Sequence, residues 1–177
     1  MTSDPRFRVP LLLISALAVH LALLPVLRVA GAAPDVMLLV AVAGGLVGGP
    51  VRGAMLGFAA GIAVDVFLRT PMGLSALVFT VVGYSVGIVS TGVLTPSLYL
   101  PVVTASIASA AGVALYALTG AMLGEPMLNR RLVTIVSVVA VGNAVLAIPV
   151  IRAVTWAVGE SGPGLDLRRR RARAEWR

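Results

Sequence analysis

A chain of 177 residues with 59% apolar and only 12% charged residues lacks the polar surface that a water-soluble domain of this length requires. Its mean hydropathy of +1.02 assigns most of it to lipid, and the absence of cysteine excludes disulfides, thiolate metal sites and cysteine nucleophiles. The net charge of +7 comes from 14 cations, all arginine, against 7 acids; it gathers mostly in one tail, so it does not argue for nucleic-acid binding.

In chain order, residues 1–8 form a short arm carrying Arg6 and Arg8. Residues 9–30 are the first apolar run, long enough for the roughly 20 residues that cross a hydrocarbon layer. Their basic start and the small residues Ala30-Gly31-Ala32 also outline a secretory signal. Pro25 and Arg28 late in the run, and the membrane character of the remaining chain, favour a retained span. Residues 36–49 and 53–68 are two shorter runs separated by Pro50-Val51-Arg52. A thin antiparallel pair of spans, a re-entrant hairpin, or two spans lengthened by interfacial residues all fit them; two spans is the preferred reading. Residues 72–94, 98–123 and 132–150 complete the set, the last with room to continue to residue 158. Pro34, Pro50, Pro71, Pro96 and Pro126 fall near helix starts or in loops, where a missing N–H costs no helical hydrogen bond. The expected fold is therefore all-α: a polytopic transmembrane helical bundle of about six spans over residues 9–158, with a basic tail over residues 159–177.

Arginine placement sets the expected orientation. Arg6, Arg8, Arg52, Arg152 and the six arginines of residues 168–177 fall on one side, ten in all, against Arg28, Arg69, Arg130 and Arg131 on the other. Both termini are expected in the cytoplasm, in a bacterial inner membrane. The tail residues Arg168, Arg169, Arg170, Arg171 and Arg173 act as a positive-inside signal and offer a surface for anionic lipid headgroups.

The few polar residues limit the chemistry. Gly45, Gly49, Gly53, Gly57 and Gly61 recur every four residues and Asp65 continues the series. Pro50 interrupts its first part, so Gly53, Gly57, Gly61 and Asp65 are the members expected on one helix face. Glycine there lets a second backbone approach closely, the small-xxx-small route to association in lipid. Gly83 with Gly87, and Ala105 with Ser109 and Gly112, suggest further close contacts. A carboxylate in a span is costly, so Asp65 reads as an interfacial cap pairing with Arg69 one turn later, as a buried structural or partner-facing contact, or as a transported-ion or proton site. Asp35 suits an N-cap at the start of the second run. His20 is read as a packing residue rather than a proton relay, and Asn143 as an interhelical hydrogen-bonder. Glu125, Arg130 and Arg131 form the most polar external loop. No carboxylate pair, Ser-His-Asp set, metal-ligand cluster or phosphate-cradling loop can be assembled, so no enzyme, catalytic residue, metal or cofactor is expected.

The stretch Gly57-Phe58-Ala59-Ala60-Gly61-Ile62-Ala63-Val64-Asp65, with Thr70-Pro71-Met72-Gly73-Leu74-Ser75-Ala76-Leu77 and Gly83-Tyr84 after it, resembles the rod shape-determining protein MreD family; Pro34-Asp35 is similar as well. The similarity is close over residues 34–84 and elsewhere extends only to length and span count; the arginine-rich tail departs from it. The resemblance implies a non-enzymatic inner-membrane scaffold of the elongation machinery. Such a protein acts with the bitopic membrane protein MreC and other elongation-complex proteins to organise lateral peptidoglycan synthesis and maintain rod shape. The family's fold is similar to the substrate-binding subunits of energy-coupling-factor transporters, which supplies an alternative: a vitamin-binding subunit. Such a subunit needs polar groups converging on an external pocket, and the chain offers mainly Asp35, Asp65, Arg69, Glu125, Arg130 and Arg131. The scaffold is the preferred expectation, with membrane lipids and an MreC-like protein as partners.

Overall fold

The computed structural model describes residues 5–22, 26, 28, 31–67, 72–92, 99–126 and 128–159. Arg69 and the tail arginines Arg168, Arg169, Arg170, Arg171 and Arg173 lie outside them. Five helices make up the described structure: α1 (Pro5–Ala22), α2 (Val36–Asp65), α3 (Leu74–Gly92), α4 (Tyr99–Met122) and α5 (Leu132–Val158). Three of them, α2, α4 and α5, are long and apolar enough to cross a membrane by length and composition.

The boundaries differ from expectation in instructive ways. α1 begins at Pro5, before the apolar run expected from residue 9, and is described as far as Ala22; residues 23–25 of that run lie outside the described residues. α5 continues through Pro149 to Val158, and Gly159 at φ 72° stops it.

The runs expected as separate helices over residues 36–49 and 53–68 are the two parts of α2, whose helical geometry breaks at Gly49 (φ 78°, ψ −173°). Glycine reaches that conformation without a Cβ penalty, and Pro50 restarts the helix at a first-turn position where its missing N–H is harmless. No three-residue loop is needed. The break reverses the chain: a Cβ placed on Gly44 would lie 3.2 Å from the Cβ of Leu56. Residues twelve apart along a straight helix would stand about 18 Å apart. A Cβ on Gly53 would likewise lie 2.7 Å from the Cα of Gly45. α2 is thus two antiparallel legs, residues 36–48 and 50–65.

The first leg is the hub of the bundle. From Met37 to Ala43 every residue is at most 1% exposed, which explains why this segment shows no polar face. Met37, Leu38, Leu39, Ala41 and Val42 join Ala60 and Val64 of the second leg, Val78 and Phe79 of α3, Ala105 of α4 and Ala147 of α5 in one core. A second cluster joins Val40 and Ala43 to Leu56, to Leu12 of α1 and to Val154 and Ala157 of α5. On the periphery large apolar side chains face outward, among them Ile14, Met55, Phe58, Ile107, Val133 and Val145. That outer surface is suited to lipid.

The start of α1 and the end of α5 meet at one end of the bundle. The Arg8 guanidinium stacks 5.2 Å from the centroid of the Trp156 ring, and its Nη1 donates to the Trp156 carbonyl at 3.2 Å.

Candidate functional site

Two constellations of residues stand out, both around α2. The first is the face of its second leg. A Cβ on Gly53 would overlap the carbonyl of Gly83, one on Gly57 the carbonyl of Phe79, and one on Gly61 the backbone of Ala76. From α3 the fit is reciprocal: a Cβ on Gly83 would overlap the Gly53 carbonyl, and one on Gly87 would overlap Pro50. Gly45 of the first leg meets Gly83 and Gly87 as well. The legs and α3 therefore approach backbone to backbone from Ala76 to Gly87. Without side chains between them, dispersion contacts are dense, and close approach supplies the association that hydrophobic exclusion cannot supply within lipid.

Asp65 closes this contact. Its side chain is 3% exposed, and it accepts hydrogen bonds from the backbone N–H groups of Gly73 (2.9 Å), Ser75 (3.1 Å) and Ala76 (3.2 Å). α3 starts at Leu74 with glycine before it, at φ 96°, and so has no local capping side chain. The cap comes instead from the end of α2. Its negative charge lies against the positive end of the α3 dipole, and three otherwise orphaned donors are satisfied. Asp65 is thus a buried tertiary cap, in keeping with the buried structural contact among its sequence readings.

The second constellation sits at the end of the bundle where α1 finishes and α2, α3 and α5 begin. Asp35 caps α2, its Oδ1 accepting from the Leu38 N–H at 3.0 Å. Asn143 of α5, fully buried, holds the Asp35 backbone on both sides. Its Oδ1 accepts from the Asp35 N–H at 2.9 Å, while its Nδ2 donates to the Asp35 carbonyl at 3.0 Å and to Ser109 Oγ of α4 at 2.9 Å. Three helices are locked together by one amide. His20 Nδ1 stands 3.7 Å from Asp35 Oδ1, within ion-pair range when the imidazole is protonated. Asp35 precedes the α2 span; burial pushes its carboxyl above the usual carboxylate range, while His20 and the Leu38 and Met37 amides pull it back.

Beside this network lies a cavity of about 350 Å³, with His20, Arg28, Asp35, Ser75, Phe79 and Tyr116 in its wall. The residues singled out from sequence divide between the two constellations. Gly53, Gly57, Gly61 and Asp65 share the α2–α3 contact, and Asp35, His20 and Asn143 share the bundle end. Glu125, Arg130 and Arg131 lie in the connection from α4 to α5, with Arg130 and Arg131 exposed. Ser75 and Tyr116 carry no sequence signal, because an isolated hydroxyl in an apolar run reads as filler. No protein-family model matches this chain, and no curated protein or solved structure matches it either.

Proposed function

We propose that this chain is a non-enzymatic scaffold of the bacterial inner membrane, MreD-like, which works with an MreC-like bitopic protein to organise lateral peptidoglycan synthesis. One observation carries the reading: the residues on which the family resemblance rests converge on one structural feature. Gly61 and Asp65 of α2 meet Ser75 and Ala76 of α3, Gly57 meets the Phe79 backbone, Gly83 meets Gly53 along the same face, and Gly73 donates to the cap. A pattern read along the chain thus corresponds to a single rigid helix pair, the kind of preformed surface that a scaffold offers to a partner.

The proposed topology has six crossings: α1, the two legs of α2, α3, α4 and α5. The reversal at Gly49 and the pairing of Arg8 with Trp156 support an even number, since they place the start of α1 and the end of α5 together. The ten-to-four division of arginines puts that shared end in the cytoplasm. The two legs, at 13 and 16 residues, are short for a layer roughly 30 Å thick, so the bilayer thins around them or they cross only in part.

Affinity purification from membranes in mild detergent tests this proposal. Co-elution of an MreC-like bitopic protein is the expected result. Co-elution of an energy-coupling ATPase in its place would overturn the scaffold and support the transporter subunit.

A further inference from the structure

The cavity at the bundle end is not required by a scaffold, and its wall is chemically mixed. It combines Phe79 and other carbon surfaces with Arg28, the His20–Asp35 pair and Ser75, which lies one turn before Phe79 on α3. Ser75 is 1% exposed, and among the described residues its Oγ has no hydrogen-bond partner. A buried hydroxyl left unsatisfied costs free energy, unless a ligand supplies the missing partner. The Nδ1 of His20 likewise makes no hydrogen bond, though Asp35 Oδ1 stands at ion-pair distance, 3.7 Å away. The Asp35 carboxylate is already engaged, by the Leu38 amide and by its proximity to His20. Arg28, itself exposed, is the remaining full charge in the wall and offers an anion a partner.

A second depression shares a wall with the first. Pro34 borders both, and Val19 of the groove is the neighbour of His20 of the cavity. This groove, about 600 Å³, runs between α1 and α5 over the first leg of α2, along Leu12, Ala16, Val40, Leu146, Val150 and Ala153. It is almost wholly hydrocarbon and opens on the outer surface. A polar cavity at the end of the bundle next to an apolar groove along its side has the shape and chemistry of one amphiphile.

We propose that this protein binds a single anionic membrane lipid, with its headgroup in the cavity against Arg28 and Ser75 and an acyl chain in the groove between α1 and α5. The site extends beyond the scaffold reading and does not depend on it. Bound there, the lipid completes the hydrogen bonding of Ser75 and fills the gap between the first and last helices, which the Arg8–Trp156 contact closes only at the opposite end.

The full chain, purified in mild detergent and examined by native mass spectrometry, provides the test. Phosphatidylglycerol and phosphatidylcholine with identical chains are offered in competition, with glycerol 3-phosphate and inorganic phosphate as soluble competitors. The expected result is one phosphatidylglycerol per chain, preferred by about tenfold over phosphatidylcholine and not displaced by either soluble anion. Arg28→Gln should bring the preference close to unity. Ala153→Trp, which fills the groove at an exposed position, should lower retention of both lipids. Ser75→Ala should weaken retention without lowering the melting temperature of the lipid-free protein, an outcome that a purely structural hydroxyl would not give. Equal retention of the two lipids, or an unchanged preference in Arg28→Gln, would overturn the proposal. Displacement by glycerol 3-phosphate as effective as by the intact lipid would also overturn it, since the site would then take a soluble anion and leave the groove unused.

Discussion

Asn143 grips both backbone groups of Asp35, 108 residues earlier in the chain, accepting from its N–H and donating to its carbonyl. The same Nδ2 donates to Ser109, so a single buried amide ties the start of α2 to the middle of α4 and of α5. Asn143→Leu is an apolar replacement that leaves the Asp35 N–H and the Ser109 hydroxyl without this partner, while the Asp35 carbonyl keeps the Leu39 N–H at 3.0 Å. Unsatisfied buried groups cost about 1–3 kcal/mol each, so a clear loss of stability in detergent is expected. Ser109→Ala removes only one branch and should cost about 1 kcal/mol. Equal effects of the two in equilibrium unfolding would show that the Asp35 contact is not the important one.

Asp65 caps a helix to which it does not belong. Asp65→Ala should orphan the N–H groups of Gly73, Ser75 and Ala76, with a loss of about 2–4 kcal/mol, reflecting charge-assisted hydrogen bonds at a helix N-terminus. Asp65→Asn keeps the shape but presents an amide N–H₂ to donors, so it should lose about half as much. Hydrogen exchange of the first turn of α3 provides the local readout. Faster exchange is expected at Ser75 and Ala76 in both variants, and exchange like that of the wild type in Asp65→Ala would contradict the cap.

The glycine face tolerates less than its spacing alone suggests. At Gly57 and Gly61 even one methyl group meets backbone of α3, which cannot rotate away as a side chain can. Gly61→Ala should therefore destabilise by about 1–3 kcal/mol, as overpacking does in a dense interior. Ala111→Leu on the exposed side of α4 adds more volume and should be close to neutral. Comparison of the two melting temperatures in one detergent separates packing from bulk hydrophobicity. Similar small shifts in both would mean that α2 and α3 are not in close contact.

Much of this was legible from residue spacing. The four-residue glycine series marked the contact face, because only glycine lets backbones meet, and the apolar runs marked the helices. The reversal in α2 was visible as Pro50 but not its compactness, since one glycine with positive φ replaces the expected three-residue loop. The partner of Asp65 was out of reach. Arg69 one turn later is the obvious local candidate, whereas the donors bound lie in the backbone of the next helix, which sequence does not display. Asn143 could be recognised as a hydrogen-bonder but not matched to Asp35, because pairing across 108 residues is set by tertiary packing. The cavity was invisible, for its wall draws a few residues from each of the helices.

The reversal at Gly49 and Pro50 underlies the glycine contact and the six-crossing topology proposed above. The chain has no cysteine, so two can be introduced without background. In the double variant Gly44→Cys with Leu56→Cys, the leucine side chain nearest to position 44 is removed and the two Cβ atoms lie about as close as a disulfide requires. Mild oxidation in native membranes, then cleavage between the two positions and non-reducing electrophoresis, is the measurement. The legs should remain joined within a single chain, and reduction should release them. Two free thiols that never join, as a continuous helix with these positions about 18 Å apart demands, would contradict the reversal.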